Sequence, residues 1–255
     1  MTSRHSTSTT VAKAFAILDM LASNGENGAS LTEVSSHLGM SKSTAHRYLT
    51  TLEELAVVER DEKDHFRLGL KLIELTGAIL SDHDLRKVSE SFLNEVAAQT
   101  QETVHLAVPS LNEVVYIAKV DSSHSIRMAS RIGGRMPMYC TALGKAILAH
   151  YPLDRVEEII REGTPAQTLY TLTSPQTLLA ELERVRAQGF ATDDQENEIG
   201  VRCVGAPIFD YTTKVIGAIS VSGPANRLTK GRCLELGPLV RDAALKVSRR
   251  MGYPR

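Results

Sequence analysis

Between Val34 and Leu52 the chain carries no Asp or Glu, and within that window Lys42, Ser43, His46, Arg47 and Thr50 fall at helical spacing on one side. Elsewhere in residues 1–75 acids are plentiful, with 8 Lys and Arg against 10 Asp and Glu over the whole stretch. A helix cleared of carboxylates is what duplex phosphates admit into a groove. Ser41, Ser43 and Thr44 stand at its start, where hydroxyls, free backbone N–H groups and the helix dipole favour a phosphate. Lys42, His46 and Arg47 are expected to reach bases or phosphates. Arg60, Lys63 and Arg67, in a following hairpin, are expected to press on the neighbouring backbone as a wing. An αα-hairpin with a merely solvated polar face would share the capping residues; the acid-free window and the wing favour DNA.

A second group lies far downstream. Thr141 is a good helix N-cap, and Ala142, Leu143 and Gly144 after it are small or apolar, so the free N–H groups of that first turn offer an anion site that a ligand can approach. Asp193, Cys203, Ser220 and Ser222 alternate with apolar residues in strand-like runs, and Ser220 and Ser222, two apart, face the same side. Carboxylate, thiol and hydroxyls together suit a ligand bearing oxo or hydroxyl groups. The same residues also read as satisfied sheet positions and a turn-forming Asp, and the residues alone leave both readings open.

Two other chemistries compete for these residue types. His105, Cys140, Cys203 and Asp193 are zinc-ligand types without local ligand spacing, so no metal is expected, although a metal- or redox-sensing regulator stays an alternative. Cys203 or Cys140 as nucleophile with His105 as base would make a cysteine-dependent hydrolase, but no nucleophile elbow is present and a neighbouring Asp193 raises a thiol's pKa. No catalytic residue, no enzyme and no cofactor are expected. Arg127, Arg131 and Arg135 read as solvated or inter-subunit residues, one of which could pair with an anion.

The elements that must position these groups follow from local signals. A helix over about 10–23 carries Val11, Phe15, Leu18 and Ala22 as its stripe; Lys13 and Asp19 interrupt it as a signal peptide. Ser30 and Glu33 form a capping box, Gly39 stops that helix, and Ser41 opens the next, to about Leu55. Val34, Leu38, Met40, Ala45, Tyr48 and Leu52 are the facing set of the helix pair. VVERDEKDHFRLG reads as a hairpin, and residues 70–99 as helix in two pieces broken around Ser81-Asp82-His83. Beyond these, TVHLAVPS, EVVYIAKVD and IRMASRI read as strands and TALGKAILAHY as a helix. Helices follow at about 153–162 and 175–188. VRCVGAPIFD and KVIGAISVSGP read as a strand pair, and a long helix spans about 229–251.

The 255 residues are 42% hydrophobic and 23% charged with a net charge of -1, which excludes a mainly disordered or collagen-like chain and any chain-wide basic field. No run approaches the length of a membrane helix, and with 5% aromatics and no Trp a base-stacking platform is disfavoured. Three cysteines without CxxC spacing fit a reducing cytoplasm. The first ten residues, seven of them Ser or Thr, read as a mobile arm.

SLTEVSSHLGMSKSTAHRYLTTLEELAVVERDEKDHFRLGLKLIELTG resembles the winged helix-turn-helix of IclR-family transcriptional regulators. GFATDDQENEIGVRCVGAPIFD, with Asp193, Glu196 and Cys203 in fixed register and Phe209-Asp210 at its end, is similar to that family's signature. The resemblance covers nearly the whole chain. It implies an α+β protein with an N-terminal winged helix-turn-helix DNA-binding domain (1–69), a helical linker (70–84) and a C-terminal GAF-like effector-binding domain (85–255). It further implies a ligand-responsive regulator, most often a repressor, of a catabolic operon. Its partners would be a double-stranded DNA operator, a small organic-acid effector and a second copy or more, as homodimer or homotetramer, with no membrane involved. The effector would be held by Thr141, Ala142, Leu143, Asp193, Cys203, Ser220 and Ser222. Cys140 departs from the small residue usual at its position. KVDSSHSIRMASRIGGRMPMYCTALGKAILAH is most similar to members governing sugar-acid catabolism, including sensors of 2-keto-3-deoxygluconate, and so points to a sugar-derived oxo acid.

Overall fold

The computed structural model describes residues 9–75, 85–125 and 128–254. The chain divides into two compact units, Met1–His83 and Asp84–Arg255. The helical break at Ser81-Asp82-His83, residues 1–8 of the N-terminal arm and Arg127 lie outside the described residues; Thr9 and Thr10 of that arm already belong to the first helix.

The first unit is built from α1 (Thr9–Asn24), α2 (Leu31–His37), α3 (Lys42–Glu54) and a two-stranded antiparallel ribbon of β1 (Val58–Arg60) and β2 (Phe66–Leu68). Its start and stop signals are local. Ser30 and Glu33 complete their reciprocal capping box, and Ser41 accepts the Thr44 N–H at the head of α3. Such a cap typically contributes about 1 kcal/mol. Gly39 takes φ +59°, the left-handed turn that lets α2 and α3 pack across one another. Ile17, Leu21, Val34, Ala45, Leu49, Leu52, Val58 and Phe66 form the buried core, with Leu38, Met40 and Tyr48 packed against it. The expected α1 stripe is corrected here: Val11 and Phe15 are 54% and 62% exposed while Ile17 and Leu21 are buried. α1 is apolar on more than one side, and the position of its neighbours, not its own periodicity, selects the buried face.

The second unit is a six-stranded antiparallel sheet in the order β5-β4-β3-β8-β7-β6. Its strands are β3 (Thr103–Ser110), β4 (Glu113–Val120), β5 (Arg135–Pro137), β6 (Ala191–Asp194), β7 (Val201–Phe209) and β8 (Val215–Pro224). Val104, Leu106, Val204, Ala206, Ile219 and Val221 project to one face, where α4 (Leu85–Thr100) and α8 (Lys230–Arg250) cover them. The other face packs on α5 (Ala142–Leu148), α6 (Leu153–Glu162) and α7 (Pro175–Gln188). This is an α+β architecture, as expected, with helices on both sides of an antiparallel sheet. IRMASRI is corrected: its described residues, 128–132, are not strand, and the edge strand forms later, at Arg135–Pro137. Met128, Ala129 and Ser130 line a cavity, and the Lys119 ammonium, not a ladder partner, holds the carbonyls of Met128 and Ser130. Among the described residues no helix is long and apolar enough to cross a membrane.

Candidate functional site

In the first unit, Lys42, Ser43, His46 and Arg47 are exposed along α3 while Ala45 and Leu49, from the opposite side of the same turns, are buried. The Ser41 hydroxyl lies 3.0 Å from that of Ser43 and 2.8 Å from that of Thr44, so three hydroxyls cluster at the helix start. Thr50 lies 3.5 Å from His46 Nδ1 one turn on.

The wing cations do not share a surface. Register pairs Arg60 with Phe66 and Glu59 with Arg67, so Arg60 and Arg67 project to opposite sides of the ribbon. Arg60 lies over the Phe66 ring at 4.6 Å and 3.3 Å from Asp64. Arg67 is half-buried, its Nε without a hydrogen-bond partner. Lys63 is exposed on the tip, where Asp61 accepts its backbone N–H and that of His65.

In the second unit, the seven residues expected to hold an effector all line one cavity of about 400 Å³, a volume usual for small-molecule sites. Sheet register explains the convergence. Asp193 pairs with Cys203, Cys203 with Ser222, and Ser220 with His105. Paired residues share a face, so carboxyl, thiol and two hydroxyls stand side by side on the sheet surface turned toward α5. Gly205, one rung on, keeps that surface low: a Cβ there would lie 3.1 Å from the Ala142 backbone. Thr141 is committed to the fold, since its hydroxyl donates to Pro137 O and accepts the Gly144 N–H.

Several wall residues were not singled out from the sequence. Tyr116 stacks on His105 with ring centroids 4.7 Å apart, and Met128, Ser130, Met136 and Asn197 complete much of the lining. His105 shares a 2.6 Å hydrogen bond with Ser130 through Nε2 and lies 3.4 Å from Ser222 Oγ through Nδ1. Lys119 donates to the carbonyls of Met128 and Ser130, which holds that segment over the cavity. Strand periodicity could have placed Tyr116 on a sheet face; only register brings it to His105.

Lys145 also escaped the sequence reading. It is fully buried, ion-paired to Glu196 and 3.5 Å from Glu181. Burial, with Glu196 adding to it against the pull of Lys145, pushes the Asp193 carboxyl up to about 7. Burial also holds His105 neutral, its pKa down at about 3, with Lys119 lowering it further and Asp121 opposing. The Cys203 thiol is raised by burial and then by Asp193, and burial pushes Cys140 up to about 12. Both are therefore protonated, poor nucleophiles near neutral pH. The proposed zinc set does not assemble: among the described residues no three His, Cys, Asp or Glu side chains come together to hold a metal.

Two family models match the chain: "IclR helix-turn-helix domain" over residues 10–62 and "Bacterial transcriptional regulator IclR C-terminal" over residues 77–249. The chain is 40% identical over 246 residues to the HTH-type transcriptional regulator KdgR of Escherichia coli K12, covering 95% of this chain and 92% of that protein. It is 35% identical over 230 residues to the transcriptional repressor IclR of the same strain, covering 89% and 83%. The crystal structure of Thermotoga maritima IclR matches with a TM-score of 0.79 at 37% identity, over 96% of this chain and 99% of that one.

Proposed function

The chain belongs to the IclR family of bacterial transcriptional regulators, and on that premise we propose that it represses a catabolic operon until a small organic acid, a sugar-derived oxo acid, enters the cavity of its second unit. Residues 1–69 bind the operator, 70–84 link, and 85–255 sense the effector. Ser41, Lys42, Ser43, Thr44, His46 and Arg47 carry the DNA contact, with Lys63 on the wing tip touching backbone and Arg60 and Arg67 in lesser roles. Two copies present their α3 helices to successive major grooves of a near-palindromic site. Asp193, Cys203, Ser220 and Ser222 face the effector's oxygens, and Ala142 and Leu143 close over it.

The observation that carries this reading is the meeting of those polar side chains on one cavity wall, in a chain whose other unit exposes an acid-free helix face. The test uses the full chain and a DNA fragment that it selects from genomic DNA. Addition of 2-keto-3-deoxygluconate, glyoxylate or 4-hydroxybenzoate should raise the melting temperature by mass action. The active acid should weaken operator affinity about 5–150-fold, the usual span of allosteric coupling. Operator affinity that none of the acids moves would overturn the proposal.

A further inference from the structure

The acidic cluster beside the cavity is one charge out of balance. Glu196 is paired with Lys145, and Glu181 holds Arg184 through contacts of 2.8 and 2.7 Å while lying 3.5 Å from Lys145. Asp193 is 2% exposed and accepts the Glu196 backbone N–H at 2.7 Å, but it takes part in no ion pair among the described residues. Among the described residues the cavity wall contains no Lys or Arg; its titratable members are His105, Tyr116, Asp193, Glu198 and Cys203. An incoming carboxylate would therefore set a second negative charge near the buried Asp193, with no cation among the described residues of the wall to receive it.

We infer that the effector anion binds together with a proton: Asp193 meets the ligand as a neutral carboxylic acid, donating its O–H to a ligand oxygen, and the proton is drawn from solvent as the ligand enters. This deepens the organic-acid reading above and rests on it. Coupled uptake keeps the net charge of the closed site constant and converts a like-charge clash into a hydrogen bond.

Burial and the Glu196 carboxylate, from the loop between β6 and β7, disfavour the charged form of Asp193, while the backbone N–H groups of Glu196 and Asn197 favour it. The other titratable neighbours, Cys203 of β7, Tyr116 of β4, Cys140 just before α5 and Cys233 of α8, are neutral near pH 7 and offer Asp193 no counter-charge. Lys145 of α5 is the cation that favours the carboxylate, and two glutamates already share it, Glu181 of α7 behind it and Glu196 beside it. Burial first, opposed by Lys145 and helped by Glu196, already brings the Asp193 carboxyl to about 7. A further negative charge moves it in the same direction as Glu196 does.

Isothermal titration of the full-length protein with 2-keto-3-deoxygluconate, in two buffers of widely different ionisation enthalpy, tests the coupling. Uptake should be roughly 0.9 proton per site near pH 8 and roughly 0.1 near pH 6, and Kd should rise about tenfold per pH unit above neutrality. Binding whose heat does not depend on the buffer, at an unchanged Kd from pH 6 to 8, would overturn the inference and leave the organic-acid reading standing. Failure of 2-keto-3-deoxygluconate, glyoxylate and 4-hydroxybenzoate all to bind would overturn both. In Asp193→Asn the side chain keeps the shape of the neutral acid without titrating, so the pH slope of Kd should vanish; persistence of the wild-type slope would also overturn it.

Discussion

Cys203 and Ser222 stand directly opposite one another across β7 and β8, and this pairing sets which side chains meet in the cavity. Asp193 extends the same rung on one side and Thr103 on the other, and the next rung brings Ser220 to His105. Because strands alternate, the intervening Val204 and Val221 are committed to the opposite face beneath α4 and α8. Slipping β7 by one residue would exchange the two sets and bury valines where the ligand is proposed to sit.

Ser222→Ala should weaken effector binding without altering operator binding in the absence of effector. The hydroxyl lines the cavity, lies 3.4 Å from His105 Nδ1 and hydrogen-bonds the Cys203 thiol, weak contacts whose loss costs the fold little. Loss of one hydrogen bond corresponds to about 0.5–1.5 kcal/mol, or roughly 2- to 12-fold in Kd. Titration calorimetry for the effector and fluorescence anisotropy for the operator separate the two effects.

Arg47→Ala and Lys42→Ala should each weaken operator binding, and each should flatten the dependence of log K on log salt by about one unit if its contact is to phosphate. Both side chains are exposed on α3, so thermal stability should stay within about 0.5 kcal/mol of the parent. Anisotropy across a salt series reads the slope, and an unchanged slope and affinity would remove that residue from the interface.

Lys145→Met should destabilise the second unit by about 3–5 kcal/mol, because it strands Glu196 in the interior. Adding Glu196→Gln should recover part of that loss, since the charge that Lys145 neutralised is then gone. Urea denaturation of the full chain, followed by near-ultraviolet circular dichroism, measures both. A double variant no more stable than the single one would mean that packing, not charge, accounts for the loss.

Two opposing proton linkages act on stability between about pH 4 and 6.5. Asp193 holds its proton more tightly folded than unfolded, so its contribution is full below its unfolded pKa of 3.8 and declines as pH rises to about 7. His105 and His150 are depressed by burial, to about 3 and about 4, so the unfolded state binds their protons first and stability rises with pH toward 6.5. With two histidines against one carboxyl the wild-type curve should still rise there, and Asp193→Asn should make that rise steeper. Urea midpoints taken every half pH unit check this; a variant curve parallel to the wild type would contradict it.

What the sequence determined by itself is what interactions within a few residues decide. The Ser30–Glu33 box, the Ser41 cap and the Gly39 turn act over three or four residues, and they specify the helix pair with its exposed α3 face without any tertiary contact. The strand runs from Thr103 to Ser110 and from Glu113 to Val120 were legible for the same reason, as were the helices at 153–162 and 175–188. Tertiary structure alone decided pairings across long stretches of chain: His105 with Ser220, Lys145 with Glu196, Arg60 and Arg67 on opposite sides of the ribbon, and Ile17 rather than Phe15 in the core. Small and apolar residues all round α5 mark the helix for burial, but nothing within a turn of Lys145 supplies its counter-charge, which comes from a loop 51 residues away once α5 packs against the sheet. Local propensity names the elements, whereas register and the choice of buried face are settled by partners that the local sequence does not contain.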